Sequence, residues 1–426
     1  MKVLLYGINF SPELTGTGKY SGEMAEWLAR HGHAVDVVTA PPYYPQWRVS
    51  EGFSAWKYQR HEMPDTNGQV QILRCPLWVP RKVTGAARLM HLASFAVSST
   101  FGLIWGLARK PDLVFVVVPT LMQTPQAVVL SKLAGAPNWL HVQDFEVDAA
   151  LDMHMVKGAA ESGGLLRRMS WWLESYWMRR FDRVSSITPA MVKRLLVKGV
   201  EADRVVELPN WVSLDSVFPI SRAESMRHEL GIADDQVVVL YSGNMGEKQG
   251  LDLLVEAAER LRHEPTIRFV LAGTGAARAR LEKAAVSLGN VTWLPLQPIE
   301  KLNALLGSAD VHVLPQRADA ADLVMPSKLT GMLASGRAIV GTAALDTQLG
   351  GILSKVGVRV EPGDADGLAQ ALKALAQDPA RREELGQKGR RFAEETLDKN
   401  AILRQFLQDA TALHSQAPPR PRFKAR

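Results

Sequence analysis

Short runs of apolar, β-branched residues alternate along this chain with longer segments whose apolar residues recur at helical spacing. Runs that are apolar on both faces predict buried strands. In the first half of the chain such runs occupy residues 2–8, 33–40, 112–119, 138–144 and 182–188. Because parallel strands need long crossover connections, strands that alternate with helices predict a parallel sheet covered by helices.

The same alternation begins again after a Pro- and Ser-containing stretch, "LPNWVSLDSVFPISRAE", at 208–224. The second set of strand-like runs occupies residues 236–243, 267–275, 291–296, 310–316 and 337–342. A chain of 426 residues is too long for one ordinary core. We therefore predict two doubly wound α/β domains, over 1–215 and 216–410, and a basic, disordered tail over 411–426.

Charge and cysteine content narrow the functional classes. Lys and Arg number 50 against 44 Asp and Glu, so the net charge is +6. This mild excess suits a polyanionic ligand or an anionic membrane surface, and is too small by itself to indicate nucleic acid. The single cysteine, Cys75, excludes an intramolecular disulfide framework. The first residues lack the long apolar region and cleavage site of a signal peptide, so we expect a cytoplasmic protein.

One apolar segment, residues 89–108, is long enough to cross a bilayer. His91 is its only ionisable residue, and Arg88 and Arg109 flank it. Three serines, one threonine and two glycines within the segment weaken it as a membrane span. We therefore expect a helix that is buried in the protein or dips into a membrane.

The loop after the first predicted strand contains Gly16 and Gly18, which let backbone approach a ligand closely. Its spacing does not match the dinucleotide fingerprint, because the third glycine is Gly22 instead of residue 21. It does not match a P-loop either, since Glu13 stands where the first glycine would be and Tyr20 follows Lys19. A plain tight turn is the alternative interpretation.

The stretch "YSGNMGEKQG" at 241–250 joins a predicted strand to a predicted helix. Gly243 and Gly246 free its backbone, and Lys248 places a cation at the first turn of the helix. Free N–H groups and a lysine at a helix N-terminus favour a phosphate or diphosphate. An ordinary strand-to-helix turn with a solvated lysine is the alternative.

Two further loops belong to the same predicted sheet edge. Gly273 lies in "LAGTG", which ends a strand, and Ser327 and Lys328 lie at the start of another helix. Three such loops, two of which carry a lysine, predict a nucleotide diphosphate pocket.

These blocks together are similar to a known family. The order "GTGKYSGEMAEWLARHGHAVDVVTAPPYYPQW", "PNW", "YSGNMGEKQGLDLLVEAA", "LAGTG" and "PSKLTGMLASG" resembles glycosyltransferase family 4, and within it the colanic-acid-type exopolysaccharide transferases described as fucosyltransferases. The resemblance extends from residue 1 to about residue 410. It implies a GT-B fold: two facing Rossmann-like domains with a central cleft, the first for the acceptor and the second for the nucleotide-sugar. It also implies transfer with retention of configuration, no metal and no cofactor.

The resemblance implies which residues bind the donor, and it shows two departures. The donor-binding candidates are Gly16, Gly18, Gly243, Asn244, Lys248, Gly273, Ser327 and Lys328. Asn244 stands where many relatives have an arginine, so the lysines have to supply most of the charge. Gly331 stands where many relatives have the glutamate that holds the donor ribose, which leaves the donor base and sugar open.

On the acceptor side, His141 and Asp144 end a predicted strand at the edge that faces the expected cleft. Related transferases have an acidic residue or a histidine about there, so we expect Asp144 first, and then His141, to orient the reacting groups. A structural histidine is the alternative for His141. In the loop "PPYYPQW", the rings of Tyr43, Tyr44 and Trp47 are candidates for stacking on a sugar or an isoprenoid, or for packing alone.

The segment 165–183 interleaves arginines with Trp171, Trp172 and Trp177 at helical spacing. This combination suits a membrane interface, with a half-buried helix and base stacking on nucleic acid as alternatives. The sequence therefore predicts a protein on the inner face of the plasma membrane. The resemblance implies that it moves a sugar, GDP-fucose being the favoured donor and a UDP-sugar possible, to a polyprenyl-diphosphate-linked saccharide.

Two other classes stay open at this stage. A dinucleotide-dependent oxidoreductase is disfavoured by the glycine spacing and by Asp36, which lies inside the second strand instead of closing it. A non-catalytic membrane- or nucleic-acid-binding protein would explain the basic aromatic segment but gives no reason for two phosphate-type loops. We expect no nucleic-acid partner.

Overall fold

The chain divides into two compact units, each built on its own sheet. A computed structural model describes residues 1–13, 16–82, 84–118, 121–145, 163–246, 249–317 and 326–417. The first unit comprises Met1–Pro209 together with the residues from Ile402, and the second comprises Asn210–Ala401. The division therefore falls at residues 209/210, and the chain enters the first unit again after residue 401.

The sheet of the first unit has eight strands in the order β3-β4-β2-β1-β5-β6-β7-β8. Their bounds are β1 Lys2–Gly7, β2 Ala34–Thr39, β3 Gln59–Glu62, β4 Val70–Arg74, β5 Leu113–Val118, β6 Asn138–Val142, β7 Arg183–Ser186 and β8 Val205–Glu207. All neighbours pair in parallel except β3, which is antiparallel to β4. All six residues of β5 are buried, as expected for a central parallel strand covered on both faces.

Helices cover this sheet and connect its strands. The described helices of the first half are α1 Gly16–Arg30, α2 Gly85–Ala108, α3 Thr124–Ala134, α4 Gly163–Met178 and α5 Pro189–Val197. Two of them begin with a hydroxyl cap: Thr84 Oγ1 accepts from Ala87 N, and Thr188 Oγ1 accepts from Met191 N. These caps satisfy N–H groups that an isolated helix end would leave without a partner.

The second unit has six parallel strands in the order β11-β10-β9-β12-β13-β14. Their bounds are β9 Val237–Ser242, β10 Ile267–Ala272, β11 Val291–Leu294, β12 Val311–Leu314, β13 Ala338–Thr342 and β14 Val358–Val360. Its described helices are α6 Asp252–Arg260, α7 Arg278–Ala284, α8 Leu302–Gly307, α9 Lys328–Ala334, α10 Gln348–Val356, α11 Ala365–Gln377 and α12 Pro379–Thr396. The prediction of two α/β units with parallel sheets is confirmed.

The last described helix, α13 (Lys399–Gln416), corrects the predicted tail. Residues 411–416 are helical, because Leu403, Phe406, Ala410 and Leu413 recur on one face and are buried. The ring of Phe406 lies 5.0 Å from the rings of both Phe115 and Trp139, in the first unit. The remainder of the predicted tail, 418–426, lies outside the described residues.

Helix α2 is, among the described helices, the one long and apolar enough to cross a membrane by length and composition. Its most apolar 18-residue window is 44% buried in the protein. Leu92, Phe95 and Leu103 of this helix belong to the core of the first unit. The segment predicted to be buried or to dip into a membrane is therefore a helix with one face inside the domain.

Candidate functional site

At the carboxyl edge of the second sheet, the loops after β9 and β10 touch through their backbones. Gly243 N donates to Ala272 O at 2.9 Å, and Met245 N donates to Thr274 O at 2.8 Å. A Cβ on Gly273 would lie 1.9 Å from Gly243 O, and the φ of Gly273 is +147°. Both the space and the backbone conformation require glycine there. Gly243 and Gly273 therefore allow the two loops to pack directly against each other. From the sequence alone, this role of the glycines could not be distinguished from a close approach of the backbone to a ligand.

Lys328, the first residue of α9, lies at this edge with neutral partners. Its Nζ donates to the Tyr241 hydroxyl at 2.6 Å and lies 3.4 Å from Gln249 Oε1. It also lies 4.3 Å from the centroid of the Tyr241 ring. Burial lowers the pKa of the Lys328 ammonium to about 8. A Cβ on Gly243 would lie 3.2 Å from Nζ, so the missing side chain lets this loop pack closely against the lysine.

Tyr241 is a residue of this candidate site that the sequence analysis did not identify. Its ring is fully buried, and its hydroxyl donates to the backbone carbonyl of Asn244 at 2.6 Å. Burial raises the pKa of this phenol, so it stays neutral. Tyr241 therefore connects the cation of Lys328 to the loop that carries Asn244, whose side chain is exposed. In the sequence it is one aromatic residue in a strand, which by itself indicates only a core position.

The other predicted donor residues are placed as follows. Lys248 lies outside the described residues. Ser327 is exposed and precedes α9, and its carbonyl accepts from the Thr330 hydroxyl at 2.9 Å. A basic residue missed by the sequence analysis, Arg317, follows β12 at the same edge. The place of a Cβ on Gly250 is 3.0 Å from Arg317 Cγ.

At the carboxyl edge of the first sheet, the buried carboxylate of Glu13 joins two loops. Its Oε1 accepts from the backbone N–H groups of Tyr43 and Tyr44, each at 3.0 Å, and its Oε2 accepts from Asn9 Nδ2 at 2.9 Å. The pKa of Glu13 is raised because burial disfavours the charged carboxylate. These hydrogen bonds and the charge of Arg74 oppose the shift without reversing it. In the sequence, Glu13 was noted only because it breaks a P-loop pattern. Tyr43 and Tyr44 are 30 and 31 residues away along the chain, and no local sequence pattern indicates their contact with Glu13.

Gly16 and Gly18, at the start of α1, also lie close to other residues of the first unit. A Cβ on Gly18 would lie 2.7 Å from Glu13 Oε2, so Gly18 lets α1 lie directly against the loop. Gly16 begins α1 with a φ of +60°, and the place of its Cβ is 4.0 Å from Tyr44 Cε1. Their predicted contact with the donor stays a prediction.

The three aromatic candidates of the 41–47 loop differ in exposure. Tyr43 is buried, with its ring centroid 5.7 Å from that of Trp47 and 4.7 Å from that of His91 in α2. Trp47 is half-buried and lies 5.2 Å from His91. Tyr44 is 39% exposed. Of these residues, Tyr44 is the most exposed, whereas Tyr43 packs in the core.

His141 and Asp144 follow each other closely at the end of β6 but differ in environment. His141 is buried: Nδ1 lies 2.9 Å from Ser185 Oγ, and Nε2 lies 2.8 Å from Gln143 Nε2. Burial lowers the pKa of His141 to about 3, so the ring is neutral at physiological pH. These contacts favour a structural role for His141. Asp144 is half-exposed, and its role in catalysis stays a prediction.

Helix α4 carries the predicted membrane tryptophans. Trp171 and Trp172 are exposed, and Trp172 stacks on Tyr176 at 5.3 Å. Trp177 is half-buried and packs against the core of the first unit. Two of the three rings are therefore available to a partner.

Within the described residues, no group of three or more His, Cys, Asp or Glu side chains is arranged to hold a metal ion. Among the described residues, basic side chains at these edges include Lys328 and Arg317 in the second unit and Arg74 in the first.

Comparison with family models matches both units. Residues 15–211 match the model described as "Glycosyl transferase 4-like domain", and residues 236–378 match the model described as "Glycosyl transferases group 1". One matched range therefore falls in each predicted domain.

One relative matches over nearly its whole length. WcaI of Escherichia coli (strain K12), named for a glycosyl transferase of colanic acid biosynthesis, is 44% identical over 417 residues, which are 96% of this chain and 99% of that protein. Two solved structures share the fold. Sucrose-phosphate synthase from Thermosynechococcus elongatus has a TM-score of 0.73 at 20% identity and covers 97% of this chain and 99% of its own. HepE of Anabaena, in complex with UDP and glucose, has a TM-score of 0.67 at 15% identity and covers 97% and 100%.

Proposed function

The chain belongs to glycosyltransferase family 4 and has the GT-B fold, and from this we propose that it transfers a sugar from a nucleotide diphosphate sugar to a lipid-linked saccharide during exopolysaccharide assembly. The match to the E. coli colanic acid transferase over 96% of the chain supports the class of pathway. The chain's own residues support the class of donor.

The observation that carries the donor assignment is the environment of Lys328. Its ammonium is held by neutral groups, Tyr241 and Gln249, and lies against Gly243 in the loop after β9. A desolvated cation interacts strongly with an anion, because little water screens the pair. When the sugar is transferred, negative charge develops on the departing diphosphate, and a fixed cation there lowers the barrier. We propose that Lys328, with Lys248, supplies this charge without a metal and that the configuration of the sugar is retained.

The identity of the donor has two candidates. GDP-fucose is the first, because the sequence blocks resemble the colanic-acid-type transferases described as fucosyltransferases. A UDP-sugar is the second, because the structurally similar HepE of Anabaena is known in complex with UDP and glucose.

For the acceptor we propose a saccharide on a polyprenyl diphosphate, reached from the inner face of the plasma membrane. The exposed rings of Trp171 and Trp172 support an interfacial location, as do the exposed arginines of the same segment, Arg168, Arg179 and Arg180. Tryptophan rings favour the headgroup depth of a bilayer, and arginines pair with lipid phosphates.

A thermal-shift panel tests the donor assignment, with GDP, UDP, ADP, dTDP and NAD at equal concentration, each with magnesium and with EDTA. Ligands raise the unfolding temperature according to their concentration over the dissociation constant, so the preferred base gives the largest shift. A GDP shift supports fucose or mannose as the sugar, and a UDP shift keeps the reaction class and discards fucose. A shift with NAD alone overturns the proposal, and a shift lost in EDTA overturns metal independence.

Variants of two lysines test whether the nucleotide shift depends on Lys328. Lys328→Met should abolish most of the nucleotide shift, whereas Lys355→Met, at an exposed lysine of α10, should keep it. For catalysis, Asp144→Asn should slow transfer from the selected donor more than it weakens nucleotide binding. Unchanged turnover in Asp144→Asn would remove this residue from the site.

A further inference from the structure

One face of α2 is buried against the first unit, and we refer to it as the inner face. Hydrogen bonds join it to the rest of the unit. His91 Nδ1 lies 2.7 Å from Trp78 O, and Ser94 Oγ accepts from Trp78 N at 3.0 Å. Ser98 Oγ donates to Pro76 O at 2.6 Å. The polar residues that weaken this segment as a membrane span are therefore the ones that bind it to the chain segment after β4.

Further contacts hold the second half of α2 to the sheet. The Tyr6 hydroxyl of β1 lies 2.7 Å from Ser99 Oγ. A Cβ on Gly102 would lie 2.6 Å from Cys75 Sγ, and one on Gly106 would lie 2.9 Å from Leu4 Cδ2, so both glycines allow close approach. Crossing a bilayer would require breaking these hydrogen bonds and exposing the core of the sheet to water, which is unfavourable.

The outer face of α2 is apolar and exposed. Its large side chains are between 57% and 67% exposed and recur at helical spacing: Leu89, Met90, Val97, Phe101 and Ile104. Helix α3 lies beside it, because Gln126 Nε2 donates to Ala96 O at 2.6 Å and to Thr100 Oγ1 at 3.0 Å. This neighbour also exposes Val129 and Leu133. We refer to these seven side chains as the outer face.

Positive charge flanks the outer face. Four exposed basic residues lie on its two helices or next to them: Arg81 and Lys82 before α2, Lys110 after it, and Lys132 on α3. Arg109 is paired with Asp36 at 2.9 Å, and Arg74 is buried near Glu13, so neither adds net charge to this surface. Apolar side chains with basic flanks match an anionic phospholipid surface. A second copy of this chain would bring like charges together and is disfavoured.

We propose that α2 is an interfacial helix: its outer face enters the headgroup and upper acyl region of an anionic bilayer, while its inner face stays bound to the sheet. This deepens the membrane association proposed above and adds a surface separate from the tryptophans of α4. His91 on the inner face contacts the rings of Tyr43 and Trp47. The loop predicted to bind the acceptor is thereby fixed to the helix that rests on the lipid.

The test is flotation of the full-length protein with vesicles of phosphatidylglycerol and phosphatidylcholine, compared with vesicles of phosphatidylcholine alone. The variant Phe101→Ser/Ile104→Ser removes two large apolar groups of the outer face. We expect it to lower partitioning onto the anionic vesicles by about tenfold or more, since membrane binding scales with buried apolar area. The matched control, Val286→Ser/Leu345→Ser, changes two side chains of the second unit that are 85% and 64% exposed, and should bind like the wild type. Unchanged circular dichroism and urea unfolding curves for both variants show that both units are folded.

Several outcomes would overturn the inference. If Phe101→Ser/Ile104→Ser floats like the wild type while Trp171→Ser/Trp172→Ser does not, membrane association holds through α4 and the role of α2 is wrong. Equal wild-type binding to both kinds of vesicle would refute the part assigned to the basic flanks. Resistance of the membrane-bound protein to carbonate extraction would indicate a span. A lipid-free dimer that only the α2 variant dissociates, together with no vesicle binding by the wild type, would assign the outer face to a second copy.

Discussion

The ammonium nitrogen of Lys328 lies 2.6 Å from the phenolic oxygen of Tyr241 and 4.3 Å from the centre of the same ring. A cation that is largely removed from water and held by a neutral hydroxyl and a ring face is less stable than a solvated one, which is why its pKa falls to about 8. A bound diphosphate would reverse this shift, because an adjacent negative charge favours the protonated amine.

This linkage predicts that nucleotide diphosphate affinity falls as the pH rises above about 8. Below the pKa of about 8, Lys328 is already protonated and affinity is constant. Above it, binding requires proton uptake, so affinity should fall by up to about tenfold per pH unit. Calorimetric titration between pH 6.5 and 10, with the nucleotide selected by the thermal-shift panel, measures this dependence.

Two variants serve as controls for that titration. Lys328→Gln should bind weakly with no change over this range, and Lys355→Gln should behave like the wild type. Tyr241→Phe should weaken binding by about five- to tenfold, because it removes one hydrogen bond that orients the lysine. A fall in affinity above pH 8 that persists in Lys328→Gln would assign the titration to another group.

Gly273→Ala should remove nucleotide binding and destabilise the second unit by ~2 kcal/mol or more, because the added Cβ collides with Gly243 O and the backbone is left-handed. The matched control is Gly351→Ala in α10, where a Cβ meets no atom within 4 Å. That change should stabilise the protein by up to ~1 kcal/mol, since alanine favours a helix. Urea unfolding and nucleotide titration of both variants check the pair. Nucleotide binding retained in Gly273→Ala would show that the loop contact is not needed for the site.

Glu13→Ala should destabilise the first unit by ~2 to 5 kcal/mol, because the N–H groups of Tyr43 and Tyr44 lose their acceptor. Glu13→Gln, which keeps one acceptor oxygen, should lose less. Glu26→Ala, which removes a surface pair with Arg30, should change the free energy of unfolding by ~0.5 kcal/mol or less. In transfer assays Glu13→Gln should raise the acceptor KM and leave nucleotide affinity unchanged. If both constants move together, the carboxylate does more than position the 41–47 loop.

The buried histidines predict loss of stability in acid. The pKa values of His141 and His312 are each lowered to about 3 by burial, from 6.5. Between those values the unfolded chain binds protons that the folded protein excludes, so stability falls as the pH decreases below 6.5. Each histidine should cost ~2 kcal/mol between pH 7 and pH 5. His141→Gln should remove its share of the slope in urea unfolding at the two pH values. An unchanged slope would mean that His141 accepts a proton in the folded state.

The central strands were predictable from sequence because they are buried on both faces, as β5 is along its whole length. The edge strand β3, "QRHE", was not, since its residues are polar and only its partner β4 defines it. The spacing of Phe406 and Leu413 indicated the last helix, α13, and only its final residues, 411–416, were wrongly assigned to the tail.

The site was only partly predictable, for a different reason. The loops with Gly273 and Lys328 could be found because glycine and lysine at strand ends are local signals. The roles of Glu13 and Tyr241 depend on partners 30 and 87 residues away, which no local pattern shows.

The position of α13 at the end of the chain also determines which unit can finish folding first during translation. The rings of Phe115 and Trp139 are covered by Phe406, which is translated after the whole of the second unit, Asn210–Ala401. Although the first unit begins the chain, its core cannot close until those residues have left the ribosome, whereas the second unit can fold as a continuous segment. A released chain that ends at residue 401 would therefore have a complete second unit and an unfinished first one.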